Sequence, residues 1–365
     1  MVTEQRGWRP DWTVAPGEIL LEALEERGMS QSELARRMGR PTKTINEIVN
    51  AKAALTPETA IQLERTLGID ASFWNQLETL YREHLAREQA EQELEAVADW
   101  ADRFPVPDLE RRNLIPQGAG QTERVAALLA FFGVASVSAW KTYWLTPDAS
   151  FRRSPAFQAS PEATAAWLRW GEVEAAKVDT PVFNAAQLRE VTREIRGLTR
   201  GADITRAIAR AQALLVTAGV VLLITPEFKD THVSGAARWI PTDRALVQLS
   251  ARFKTNDHLW FSLLHELAHL LERKKSDHFD SETDATGNDG DESAADRFAR
   301  DVLIDPTAYT QFVSAGILTA QSIRDFAREQ QVAPGLVVGR LQHESLVERS
   351  HFNDLKKKID FATTL

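Results

Sequence analysis

Apolar residues in the first 80 positions recur three and four apart, in short runs closed by glycine. Ile19, Leu20, Ala23 and Leu24 follow Pro16 and stop at Gly28. Ser30 with Glu33 reads as a capping box ahead of Leu34, Ala35 and Met38, and Gly39 breaks that run. Ile45, Ile48 and Val49 come after Pro41. Ala60, Leu63 and Leu67 follow Thr56-Pro57-Glu58 and end at Gly68, and a fifth helix is expected near Phe73-Trp74. Five short helices with a three-residue turn between the second and third predict a helix-turn-helix bundle.

The pattern then changes twice. Residues 89–200 start as a charged helix over 88–100, break at Phe104-Pro105-Val106-Pro107, and resume as apolar helices over 125–132 and 163–176. Trp140, Trp144, Trp167 and Trp170 fall here and read as core. This block is expected to be a helical connector. From residue 201 a helix over 205–218 precedes an apolar run over 220–225. Two further strands, over 233–240 and 245–250, are separated by Pro241-Thr242-Asp243. A strongly apolar helix over 257–273, an acidic loop and more helices complete the chain. The expected architecture is mostly α. A helix-turn-helix bundle (1–88) and a connector (89–200) precede a small α+β domain (201–365), with a short mixed sheet against the apolar helix.

Composition narrows the chemistry. No apolar run approaches the ~20 residues of a membrane span, and the N-terminus lacks a signal-peptide pattern, so a cytoplasmic protein is expected. Cysteine is absent, which leaves histidine and carboxylate as the metal ligands. The net charge of −9 argues against non-specific coating of nucleic acid. Residues 30–52 nevertheless hold five basic and two acidic side chains. If Ile45 and Ile48 face the core, Thr42, Lys43 and Asn46 face out, with the chemistry of a groove reader. Gln31 opens the preceding helix where it can meet a phosphate, and Lys52 adds a basic contact. Over residues 1–88 acidic side chains outnumber basic ones, 14 to 11, so DNA attraction must come from this face.

Pro16-Gly17-Glu18-Ile19-Leu20, Ser30-Gln31-Ser32-Glu33-Leu34-Ala35, Gly39-Arg40-Pro41 and Thr56-Pro57-Glu58-Thr59-Ala60 resemble the Xre-type helix-turn-helix of HigA-like antitoxins over residues 14–80. The resemblance implies a homodimeric repressor on a palindromic, double-stranded operator. Ala15 stands where that family often has histidine.

The second signal is His265-Glu266-Leu267-Ala268-His269 inside the apolar helix. Histidines four apart stand one above the other on one helix face, so both can reach one ion, and Glu266 sits beside them as a base. Zinc is the expected metal, one per chain, with a water in its fourth position. Glu292 is the candidate third ligand. Asp296, one turn on, is placed to hold the tautomer of a ligand histidine. His258, seven residues before His265, is too far along the axis to share the ion. The stretch 277–292 carries seven carboxylates and reads as a surface loop.

These motifs, with Ser234-Gly235-Ala236-Ala237-Arg238 and Trp260-Phe261-Ser262-Leu263-Leu264, resemble the ImmA/IrrE metallopeptidases over residues 200–310. The resemblance implies a zincin-like fold of gluzincin type and a bacterial or phage-encoded peptidase that cuts a repressor or partner protein. It also makes His343, and less so Tyr309, a candidate oxyanion donor. A second reading stays open: a non-proteolytic antitoxin or repressor with a vestigial metal site, whose C-terminal domain binds a toxin. Retention of Glu266 favours the enzyme, because a structural site needs the ligands and not the base.

Overall fold

The computed structural model describes residues 13–145, 160–229, 231, 233–240, 243–250, 252, 254–271, 278–281 and 290–359, with only the backbone of 278–281 and 290–292. It falls into two compact units, Met1–Val97 and Ala98–Leu365.

The first unit holds α1 (Pro16–Glu26), α2 (Gln31–Met38), α3 (Thr42–Val49), α4 (Pro57–Leu67) and α5 (Ala71–Glu95). Its core is Leu20, Leu24, Leu34, Ile45, Ile48, Leu63 and Trp74. The Ser30 hydroxyl caps α2 by accepting from the Glu33 N–H at 3.1 Å. The reciprocal half of the expected capping box is not used. Glu33 instead turns forward, accepting from Arg37 at 2.9 Å and from Arg36. The hydrogen bond from Arg37, with Arg36 nearby, holds the Glu33 carboxyl below its usual range. Gly39 closes α2 in the left-handed region at φ 65°, and Pro41 is the N-cap of α3. The charged helix expected over 88–100 is the continuation of α5, so a single 25-residue helix replaces the two read from sequence. Neither glycine nor proline interrupts 71–95, and Glu78–Arg82 and Glu83–Arg87 pairs brace its turns.

The second unit starts with a 3₁₀ turn (Ala98–Arg103) and α6 (Val106–Arg111), α7 (Gln121–Phe132) and α8 (Val137–Leu145). Trp100, Phe104, Phe132 and Trp140 pack mostly edge to face with ring centroids 4.6 to 5.7 Å apart. Among the described residues no single helix is long and apolar enough to cross a membrane.

Helices α9 (Pro161–Ala175), α10 (Ala185–Leu198) and α11 (Ile204–Thr217) lead into strands β1 (Val220–Thr225), β2 (Val233–Ile240) and β3 (Arg244–Ser250). Strand β4 (His278–Ser281) completes a mixed sheet of order β1-β3-β2-β4. β1 runs parallel to β3 from Val220↔Ala245 to Thr225↔Ser250. β2 is antiparallel to β3 and to β4. The apolar runs of β1 and β3 demand cover on both faces. Val220, Leu222, Ala245 and Val247 face the core built with α10 and α11, while Val221 and Leu246 pack with Ala175 of α9. Residues expected in a connector thus supply one layer over the sheet.

A buried polar joint fixes that layer. The Trp167 indole donates to the Thr225 carbonyl at 3.1 Å. The Gln248 amide donates to the Trp167 carbonyl and the Thr225 hydroxyl, both at 2.8 Å. Gly171 leaves room for Gln248, whose Oε1 would lie 2.0 Å from a Cβ there. Beyond the sheet lie α12 (Asn256–Leu271), α13 (Gly290–Leu303), α14 (Pro306–Ser314), α15 (Ala320–Glu329) and α16 (Pro334–His343).

The crossing of α1 with α3 yields a stability prediction. A Cβ at Gly17 would stand 2.3 Å from the Val49 carbonyl oxygen and 2.5 Å from that of Ile48. Backbone at that distance cannot step aside. Gly17→Ala is expected to cost about 1–3 kcal/mol by overpacking, read as a lower Tm of the first unit in calorimetry of the whole chain. An unchanged Tm would show that α1 and α3 can separate freely.

Candidate functional site

Helix α12 carries the metal motif, and almost all of it is buried from Asn256 to Leu270. His265 is 3% exposed, Glu266 0% and His269 1%. The two imidazoles meet as the i, i+4 spacing requires. Their Nε2 atoms are 3.0 Å apart, and the rings lie nearly perpendicular with centroids 4.7 Å apart. His265 Nδ1 is 2.9 Å from Asp296 Oδ1. An ionised carboxylate only accepts, so Nδ1 carries the proton and the Nε2 lone pair of His265 points at His269. Asp296 comes from α13, which approaches closely because Ala295 and Ala299 fill the contact at 0% exposure. Glu292 lies one turn before Asp296, in the first turn of α13, but its side chain is outside the described residues, as are those of the acidic stretch 277–292 and of His278. Among the described residues no group of three metal-ligating side chains occurs.

Glu266 is walled by β2. A Cβ at Gly235 would stand 2.6 Å from Glu266 Oε1, so only glycine lets the strand pass this carboxylate. A glycine inside an apolar strand is the sequence signal for such an approach.

His343 is exposed at the end of α16 and lines a cavity of about 430 Å³ beside His258 and Phe261. The Phe261 ring stands 6.3 Å from that of His265. Tyr309 donates its hydroxyl to Glu344 at 3.0 Å, under the Arg340 guanidinium at 3.8 Å. Burial, and then the Glu344 charge, push this phenol well above its ordinary range.

In the first unit, Thr42, Lys43, Asn46 and Lys52 are all exposed and Gln31 is half-buried. The Asn46 amide donates to Gln31 Oε1 at 3.2 Å, tying the first residue of α2 to the outer face of α3. Lys43 lies 3.7 Å from Glu47 across one turn. Ala15 caps α1 with no side-chain hydrogen bond. Sequence reasoning placed these side chains on one face but missed the Asn46–Gln31 link, which joins two helices.

Two family models match: a helix-turn-helix over residues 20–74 and an IrrE N-terminal-like domain over residues 217–342. The chain is 38% identical over 66 residues to YddM, an uncharacterised HTH-type transcriptional regulator of Escherichia coli K12, covering 18% of this chain and 70% of that protein. It is 39% identical over 69 residues to virulence-associated protein I of Dichelobacter nodosus, covering 19% and 64%. Similar solved structures include a HigA-family addiction-module antidote protein from Coxiella burnetii (31% identity, 23% of this chain and 91% of that one, TM-score 0.21). A Pseudomonas aeruginosa protein solved with its operator DNA is another (34% identity, 20% and 82%, TM-score 0.20). The chain belongs to the helix-turn-helix family through its first unit, and its second unit carries a match to the IrrE N-terminal-like domain over residues 217–342.

Proposed function

We propose that this protein is a transcriptional regulator of antitoxin-like type whose second unit is a zinc-dependent peptidase that cuts a repressor or partner protein. The observation that carries the reading is the convergence of His265 and His269 Nε2 at 3.0 Å beside a fully buried Glu266. Two nitrogens bound to zinc at about 2.0–2.1 Å in tetrahedral geometry stand about 3.3 Å apart, close to that separation. Two imidazoles and a carboxylate buried in an apolar helix are costly unless something compensates them.

His265 and His269 would hold the ion, with Glu292 as third ligand on the α13 face that already brings Asp296 to His265. When bound, zinc brings its water toward a pKa of ~7. Glu266 would then serve as the general base and acid, moving a proton from a water to the leaving amine nitrogen of the peptide. Asp296 keeps the proton of His265 on Nδ1 and its lone pair toward the ion. Gly235 keeps β2 clear of the Glu266 carboxylate. His343 enters this reading as the candidate oxyanion donor from α16.

The first unit reads double-stranded operator DNA as a homodimer in this proposal, supported by the 38% identity to an HTH-type regulator. α3 enters the major groove with Thr42, Lys43 and Asn46, while Gln31 and Lys52 meet phosphates. The Gln31 hydrogen bond orients the Asn46 amide before DNA arrives.

Four variants and the metal content test this. Glu266→Gln is expected to keep one zinc per chain by elemental analysis and to lose proteolysis by about 10²–10⁴-fold, whereas His269→Ala loses stoichiometric zinc. Protein purified without chelator that holds no transition metal, and takes up none, rules the peptidase out. His343→Gln should lower kcat with zinc retained, and an unchanged kcat removes His343 from the site. Replacing Lys43 and Asn46 together by alanine should weaken operator binding by about 1–3 kcal/mol in a gel-shift assay and flatten its salt dependence. Intact affinity would place the groove contacts elsewhere.

A further inference from the structure

The cavity beside α12 is lined by His343 and Phe261 but by none of His265, Glu266 and His269. Its floor is apolar: Phe261, Leu303, Ile304 and Leu336. Its wall is tightly made. Gly335 and Gly339, one turn apart on α16, let that helix approach α12, where a Cβ would stand 2.9 Å from Asn256 Oδ1 and 2.8 Å from Asp257 Oδ2 respectively. At about 430 Å³ it falls within the usual range of small-molecule sites.

Its charge is one-sided. Arg300, Arg340, Arg349 and Lys356 line it against one carboxylate, Asp257, in a chain of net charge −9. Two of these cations are committed to the protein. Lys356 pairs with Asp257 at 2.6 Å, and Arg340 pairs with Glu344 at 3.0 Å over the Tyr309 ring. Arg300 and Arg349 make no ion pair among the described residues. A guanidinium stays charged at any working pH and binds carboxylates with strong, directed hydrogen bonds.

We infer that this cavity binds a small organic acid with an apolar body, its carboxylate held by Arg300 and Arg349 and its body on Phe261, Leu303 and Leu336. Two of the three helices that wall it, α12 and α13, also carry His265, His269 and Asp296, so an occupant touches elements that set the histidine geometry. The inference is independent of proteolysis, because it concerns binding alone.

Decanoate serves as the probe, with decanol as its neutral counterpart and decylamine as the cationic one, titrated calorimetrically into the full-length protein. One decanoate per chain is expected, with decanol and decylamine at least tenfold weaker. In a variant combining Arg300→Gln and Arg349→Gln, with an unchanged melting curve, decanoate should weaken at least tenfold while decanol stays the same. Prior treatment with chelator should leave decanoate binding in place. Equal affinity for acid and alcohol, or decanoate binding unchanged in the double variant, overturns the assignment. Loss of binding on chelation does so too, because it places the carboxylate on the histidines' metal.

Discussion

Two imidazoles and a carboxylate are sunk to 3% exposure or less in a helix whose other buried residues are mostly Leu, Trp and Ala. Burying such groups is unfavourable unless each finds a partner, and the architecture around α12 follows from that constraint. Asp296 has to reach His265, so α13 needs alanine where it crosses. Glu266 has to fit under the sheet, so β2 needs glycine at 235. At the other end of α12, Asn256 and Asp257 are buried too. They are met by the Lys357 N–H at 2.9 Å and the Lys356 ammonium at 2.6 Å, under two glycines of α16. The helix is a polar rod in an apolar sleeve, and every neighbour is cut to its polar groups.

The first unit shows the opposite economy. Its core is apolar around Trp74 apart from the buried Thr59, and most of its charged residues sit on the surface, several in short local pairs such as Glu33 with Arg37 and Lys43 with Glu47. Exposed pairs of this kind contribute little to stability. They leave the outer face of α3 free to exchange its partners for others, while the Asn46–Gln31 hydrogen bond keeps one amide oriented. Core packing and exposed polar pairing are carried by different residues of the same short helix.

Periodicity made the helices of the first unit, strands β1 to β3 and α12 legible, because glycine, proline and alternating or helical apolar spacing mark them locally. The boundary near residue 88 was not legible in the same way. The change from apolar to charged composition within α5 looks like a new element, yet a solvated helix needs no apolar stripe to continue. Nor did any local signal tell that α9 covers the sheet, since Trp167 and Gln248 are joined across 81 residues. β4 was hidden for a related reason: its pairing with β2 is set by a neighbour and not by its own pattern, in a stretch whose carboxylates dominate the reading. The histidine pair could be read because i, i+4 geometry is carried by the chain itself. The cavity could not, because its charges come from α13, α16 and the segment after it, which only the fold brings together.

The strand order also bears on how the second unit is made. β1 pairs with β3 and not with β2, although β2 follows it in the chain. The β2–β3 hairpin is local and can close within microseconds, while β1 is left with nothing to pair against until that hairpin exists. During synthesis from the N-terminus, the apolar run of β1 therefore leaves the ribosome before its partner does. Helices α10 and α11, just upstream and packed on the same core, are the elements available to shelter it in that interval. A chain shortened before residue 250 would present an unpaired apolar strand edge, which is a site for self-association and not for repair.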